Sequence, residues 1–257
     1  MSRARAWCCC RRNFFLYWLS AVKVKNYMED TSELIPQFFS ESDKKQLELI
    51  PQLIAKGETG CNVLMEFLLS RRSQPANLVV GKAYQALYQA NTPKIQAFLQ
   101  NYFPQGVVPL KSERNIDYQH LQQLLAQQDF QGADLLTLQK LCELAGEAAL
   151  KRKWLYFTEV ESFPATDLYT LDRLWLIYSE GKFGFSVQRQ IWLSVGKDFP
   201  RLWPKIGWKT GNNWTRYPKE FTWDLSAPKG HLPLSNQLRG VRVLASIFAH
   251  PVWTLES

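Results

Sequence analysis

Six large rings, Trp203, Trp208, Trp214, Tyr217, Phe221 and Trp223, crowd into one stretch, 203–242, that is also cut by Gly207, Gly211, Pro218, Pro228 and Gly230. The breakers leave no helical or strand period running for long, so the stretch reads as loop. A loop this long inside a compact domain is uncommon and tends to be a lid or a binding surface, and so many rings argue against disorder. Cations gather in the same part of the chain. Between 181 and 250 eleven Lys and Arg stand against three acids, Asp198, Glu220 and Asp224, an excess equal to the formal net charge of +8 of the whole sequence. Rings offer flat apolar surface and cations offer attraction for an anionic edge, so the chemistry implied is recognition of a flat ligand carrying acidic groups.

Individual residues divide between binding and support. Trp203, Trp208 and Trp223 read as wedges between loop and helix, which leaves Trp214 as the ring available to a ligand. Arg239 and Arg242, three apart, share one helical face; that spacing suits a solvated or structurally paired face as well as an anion clamp. Gly184 and Gly230 mark turns that need unusual backbone angles. His231 beside Pro233 reads as structural rather than as a ligand to a central metal, and no axial ligand is assigned.

Catalytic constellations are missing from the pattern. There is no G-x-S-x-G elbow, no phosphate loop despite Lys209-Thr210, and no two-histidine metal motif. Asp167 and Asp172, five apart on one helix, point apart, and Asp167 suits a helix start. Cys8, Cys9 and Cys10 are adjacent and the three histidines scattered, which fits neither a disulfide framework nor a zinc site, so no metal is expected. Three function classes remain: a receptor for a flat anionic ligand, a single-strand nucleic-acid binder using the same rings and cations, and a ligand-free helical scaffold for an acidic protein face. Bunching of the rings in one loop over a helical domain, rather than along an extended groove, favours the first.

The elements that must position these residues are helical. Apolar residues recur at spacings of three and four in Leu47, Ile50, Leu53 and Ile54, in Val80, Ala83, Tyr84 and Leu87, and in Ile95, Phe98, Leu99 and Tyr102. Breaks fall at Gly57 and Gly60, at Ser73 to Pro75 and at Asn91-Thr92-Pro93, where Thr92 suits a cap and Pro93 a first helical position. This predicts an amino-terminal helical bundle over 29–108, a Pro/Gly boundary near 104–115, and a helical core over 113–257. Within the core the inner faces read Leu168, Leu171, Leu174 and Trp175, then Val187, Ile191 and Val195. A closing helix is expected over 238–253 with Leu238, Val241, Ala245 and Phe248 on one side, and no strand is clearly indicated. Residues 1–28 include an apolar run, FFLYWLSAV, far shorter than the ~20 residues of a bilayer span. They are expected to be an extension outside the functional chain, which would start at Met28.

The runs DFQGADLLTLQKLCELAG, DLYTLDRLWLIYSEGKFGFSVQRQIW and WPKIGWKTGNNWTRYPKEFTWDLSAPKGHLP resemble the genomes-uncoupled-four family, with FGFSVQ and APKGHLP the most specific pieces. The resemblance spans about residues 31 to 253. It implies an all-α fold, an amino-terminal helical bundle followed by an all-helical core whose two long loops cup a shallow apolar ligand surface. It further implies that the chain binds protoporphyrin IX and Mg-protoporphyrin IX and stimulates magnesium chelatase as a non-catalytic accessory, through the enzyme's large porphyrin-binding subunit. The porphyrin-binding residues it implies are Trp214, Tyr217, Phe221, Asn236, Leu238, Arg239 and Arg242, with Phe157 opposite. Nucleic acid is not an expected partner, and a cytoplasmic protein with at most peripheral contact with the thylakoid membrane is. Position 217 is Tyr where related sequences can carry Trp, which keeps a flat ring. Leu138 stands where some carry Arg, which removes one cation.

Overall fold

The computed structural model describes residues 35–234 and 241–254, and the chain divides into two compact units at Phe67/Leu68. Among the described residues every regular element is helical apart from one two-stranded hairpin. No described helix is long and apolar enough to cross a membrane.

The first unit, over its described residues, consists of α1 (residues 35–40), α2 (Asp43–Ala55) and the first part of α3 (Glu58–Arg71). Its core is apolar, with the Phe67 ring 5.2 Å from Phe38 and 5.6 Å from Phe39, edge to face. Gln46, buried in α2, donates to the carbonyl of Phe38 at 2.8 Å and so fastens the end of α1. α2 and α3 meet backbone to backbone at Gly60, where a Cβ would lie 1.8 Å from the Leu53 carbonyl oxygen. Only glycine permits that approach.

The second unit holds the rest. α4 (Leu78–Ala90) starts where Asn77 accepts the Val80 N–H, and α5 (Pro93–Tyr102) where Thr92 accepts the Ile95 N–H with Pro93 in the first turn. The cap at Thr92, with Pro93 behind it, was expected from the sequence; Asn77 was not singled out, although its side chain caps in the same way. α6 (Gln119–Ala126), α7 (Phe130–Ala145) and α8 (Glu147–Arg152) follow; Asp129 caps α7 through the Gly132 N–H, and Gly146, at φ +102°, ends it. After α9 (Phe157–Val160), α10 (Ala165–Tyr178) runs through the middle of the unit with Leu168, Leu171, Leu174 and Trp175 all buried. Gln85 on α4, also buried, donates to the carbonyls of both Leu125 and Tyr178, so three helices share one side chain. Gly81 lets α4 press on α10, since a Cβ there would meet the Ile177 carbonyl oxygen at 2.5 Å.

The segment 103–118 carries the prolines and glycine from which a boundary is expected, and here it is a strap fixed to α6 and α10. Gln122 accepts from the Val108 N–H and the Tyr178 hydroxyl and donates to Gln105. Asp167 accepts from the Glu113 N–H and the Tyr118 hydroxyl, both at 2.9 Å.

α11 (Phe185–Ser194), α12 (Phe199–Lys205), strands β1 (Lys209–Thr210) and β2 (Asn213–Trp214), and α13 (Arg242–Ala249) complete the unit, with a 3-10 turn at Pro251–Thr254. Two expectations need correction. The hairpin is strand where none was indicated: its two-residue strands are too short to show alternation, and Gly211, at φ +59°, makes the turn. In the closing helix the inward face is Val243, Leu244, Ile247 and Phe248, whereas Val241 is exposed and Ala245 half-buried. The expected face is thus rotated, because α13 packs on both α9 and α11 and buries a wider stripe than one row of residues.

Candidate functional site

The long loop, 206–234, is fastened to the core at its carboxyl end by backbone groups. The Gly184 N–H donates to Leu232 O, the Gly230 N–H to Lys182 O, and Gln188 on α11 donates to the carbonyls of Gly230 and Pro233. These bonds join FGFSVQ physically to APKGHLP. Glycine is required at both contacts: at φ +135° in Gly184 a Cβ would meet Asp172 at 2.8 Å, and at φ +78° in Gly230 it would meet Ile191 at 2.8 Å. Asp172 accepts the Ser186 N–H at 2.8 Å, and burial pushes its carboxyl up to about 6, opposed by the bonds from Ser186.

His231 secures the middle of the loop. Its Nδ1 lies 2.7 Å from Ile206 O and its Nε2 accepts the Thr222 N–H, while its carbonyl accepts the buried indole N–H of Trp208 at 2.8 Å. The ring is therefore neutral with the proton on Nδ1, and burial lowers its pKa. With both nitrogens engaged by backbone it is a structural residue, as its turn position suggests.

Around that anchor the rings separate into two sets. Trp203 and Trp208 are buried and stack at 5.6 Å and 6°, with Phe199 5.3 Å beyond Trp203. Trp214, on β2, touches Trp203 at 5.7 Å but stays 46 % exposed, with Lys209 of the paired strand 5.5 Å from its ring centroid. In the second set Tyr217, Phe221 and Trp223 are mutually 5.6–5.8 Å apart. Phe221 is only 5 % exposed and lies against His231, so its ring supports the half-buried Tyr217 from beneath.

A shorter loop, 153–164, brings further rings. Arg152 is held in a bidentate pair with Glu159 and lies 4.5 Å over Trp154 and 4.4 Å over Tyr156, which is 50 % exposed. Phe157 opens α9, and the Arg242 guanidinium at the start of α13 lies 5.4 Å from its ring. Of the residues singled out from sequence, the structure thus brings Phe157 to Arg242 and Tyr217 to Phe221, and places Trp214 on the Trp203 stack. Asn236, Leu238 and Arg239 lie outside the described residues.

The residues 111–251 match the GUN4-like family, and residues 22–104 match an ARM-like repeat domain described as GUN4-N terminal. The chain belongs to the GUN4-like family. It is 54 % identical to a Ycf53-like protein of Synechocystis over 88 % of this chain and 97 % of that protein. It is 42 % identical to a tetrapyrrole-binding protein, chloroplastic, of Arabidopsis thaliana over 52 % of this chain and 54 % of that one. The structure of GUN4 from Chlamydomonas reinhardtii superposes with a TM-score of 0.54 at 41 % identity, over 57 % of this chain and 94 % of that chain. The ligand-free structure of Arabidopsis thaliana GUN4 gives 0.50 at 41 % identity, over 54 % and 98 %.

In this GUN4-like chain the sequence reading passed over Lys209, Arg152, Tyr156 and Asp134. The first three had a signal, since Lys209 sits across a two-residue turn from Trp214 and Arg152 begins R-K-W-L-Y-F. Asp134 had none. It is buried on α7 and accepts the Leu234 N–H at 2.6 Å; burial pushes its carboxyl up to about 7, opposed chiefly by that bond. Burial first, and the Asp134 charge second, raise the Tyr217 hydroxyl pKa. The exposed surface of this GUN4-like site offers rings with cations set on or beside them. It offers no nucleophile with an adjacent base among the described residues.

Proposed function

We propose that this chain binds protoporphyrin IX and Mg-protoporphyrin IX on the surface formed by loops 153–164 and 206–234, and that it stimulates magnesium chelatase without catalysing metal insertion itself. The observation that carries the reading is Trp214. A large ring backed by a buried tryptophan stack, left 46 % exposed and flanked by Lys209, is costly to leave in water and is built to accept another flat ring.

Such a ligand fits the residues present. Its macrocycle needs apolar faces, which Trp214, Tyr217 and Phe157 supply, with Phe221 as their support. Its carboxylates need cations and neutral donors, the roles proposed for Arg242, Arg239 and Asn236, with Leu238 adding apolar contact. The macrocycle is the group on which a chelatase works; this chain's residues bind and orient it. Family membership, and the name tetrapyrrole-binding protein carried by the Arabidopsis relative, support the ligand class. The partner proposed is the large porphyrin-binding subunit of the chelatase. The cellular site proposed is the cytoplasm, with peripheral contact between the cationic loop region and anionic thylakoid lipid that high salt releases.

Titration of the purified protein with protoporphyrin IX, followed by absorbance, tests the reading, with a single-stranded oligonucleotide at the same salt as the competing arm. Porphyrin binding and faster chelatase turnover are expected. Binding of the oligonucleotide alone would assign the rings and cations to nucleic acid, and metal insertion by the isolated protein above background would overturn the accessory role. Arg239→Ala is expected to weaken porphyrin binding about tenfold, the ~1.4 kcal/mol within reach of a charge-assisted hydrogen bond. Esterified porphyrin should bind the wild type more weakly and be scarcely distinguished from the free acid by the variant.

A further inference from the structure

We infer that Arg152 is the positioning residue of the shorter loop: its guanidinium closes residues 152–159 into one unit and so sets the Phe157 ring that the proposed ligand surface presents. Each link is a direct contact. Arg152 ends α8, donates through Nε to the carbonyl of Trp154 at 3.1 Å, and places one terminal nitrogen 2.8 and 2.6 Å from the two carboxylate oxygens of Glu159. Glu159 in turn accepts the Tyr156 N–H at 2.7 Å. The same guanidinium lies 4.5 Å from the Trp154 ring and 4.4 Å from that of Tyr156, and the two rings meet edge to face at 4.5 Å. Lys153, at φ +61°, makes the reversal between helix and loop.

The clamp matters because α9 cannot hold its own place. Its four residues close too few helical bonds to be stable alone, so its position is set from outside. α13 packs against it and brings Arg242 to 5.4 Å from the Phe157 ring. From its own loop, the Glu159 carboxylate fixes the Tyr156 N–H, one residue before Phe157. The side chains of Arg152 and Glu159 are 19 % and 22 % exposed, so solvent screens this pair less than it would a surface pair. The contacts use the planar guanidinium both as a fork of donors and as a face for the rings, which lysine cannot reproduce. With its charge taken by Glu159, Arg152 is not left to hold a carboxylate of the ligand. It acts through Phe157, and Arg242 is the cation beside that ring.

This inference rests on the porphyrin reading above, and its test separates the two. Arg152→Gln removes the charge and the fork; Glu159→Gln keeps the shape and breaks the charge pair. Each is expected to bind protoporphyrin IX about fivefold more weakly, the size of one net hydrogen bond. The deciding readout is coupling. In a Phe157→Leu background Arg152→Gln should cost no further affinity, because the ring it sets is gone, whereas in a Trp214→Ala background its loss should multiply with that of Trp214. The ratio of affinities for free-acid and esterified porphyrin should be the same in Arg152→Gln as in wild type; a collapsed ratio would make Arg152 a direct carboxylate ligand and overturn the positioning role. Thermal unfolding measured alongside reports the structural share, and where Arg152→Gln fails to fold, Glu159→Gln carries the test in the same backgrounds. Losses that multiply with Phe157→Leu, or a Phe157→Leu chain that binds like wild type, would also overturn it. Failure of the wild type to bind porphyrin would remove both readings; wild-type binding that a folded Arg152→Gln leaves unaltered would remove only this one.

Discussion

The strap at 103–118 and the loop at 206–234 are both irregular and crossed by proline and glycine, yet they are held differently. The strap's polar groups are taken by side chains of the helices beneath it: Gln122 serves Val108 and Gln105, Asp167 serves Glu113, and Thr170 donates to Lys111 O. Those helices come to the strap. The loop is clipped at its end by Gln188 and Asp134, but its middle is supported from within, by its own histidine and its own rings. One of those rings, Trp214, faces solvent. An irregular segment clipped at several points by side chains of the core is held close against it. One that supports itself can leave large side chains at its edge for another molecule.

The largest expected effect belongs to the strap. Gln122→Ala removes the acceptor of the Val108 N–H and the Tyr178 hydroxyl in a buried place, and stability should fall by about 2–4 kcal/mol, with a clear drop in the thermal midpoint. Porphyrin affinity of the folded variant should stay within about twofold of wild type, and a larger loss would mean that the two regions are not independent. Trp214→Ala should do the reverse. Its stability change should stay within ~0.5 kcal/mol because the ring is at the surface, while porphyrin binding weakens by about tenfold, ~1.4 kcal/mol. A variant that unfolds instead would make Trp214 a support like Trp203.

The smallest effect is a pH dependence carried by the loop's anchor. The Asp134 carboxyl is raised to about 7 in the folded chain from an ordinary value of 3.8. Between those values the folded state holds more protons than the unfolded one, so the stability this group contributes is fully present below the ordinary value and is lost as pH rises through about 7. His231, with its pKa lowered, acts in the opposite sense, losing stability as pH falls. The informative quantity is therefore the difference between wild type and Asp134→Asn. Wild type should lose on the order of 1 kcal/mol relative to the variant between pH 5 and pH 8, measured by denaturant unfolding at each pH. Parallel pH curves would show that Asp134 does not titrate in that window.

The legible parts of this molecule are those whose causes lie within a few residues of their effects. Thr92-Pro93, Asp129 and Gly146 begin and end helices through groups three or four positions away, and the inner face of α10 follows directly from its period. The family-specific pieces FGFSVQ and APKGHLP were also visible, but the hydrogen bonds that join them are not local, and nothing in either piece foretells them. Asp134 is the extreme case, because its hydrogen-bond partner is Leu234, 100 residues away, and a single acid in an amphipathic helix looks like a solvated one. The distinction among the tryptophans was partly legible. Neighbouring residues suggest which rings wedge under a loop, but only the packing shows Trp203 and Trp208 buried with Trp214 beside them.

The tryptophan row has an optical consequence. Trp208, Trp203 and Trp214 follow one another at 5.6 and 5.7 Å, with the first two nearly parallel and the last at the surface. At such spacings indoles share electronic excitation, so light absorbed by the buried pair can be emitted, or lost, at the exposed ring. Anything that stacks on Trp214 becomes the drain for all three, and the ultraviolet emission of this row reports occupancy of a surface that Trp203 and Trp208 lie beneath.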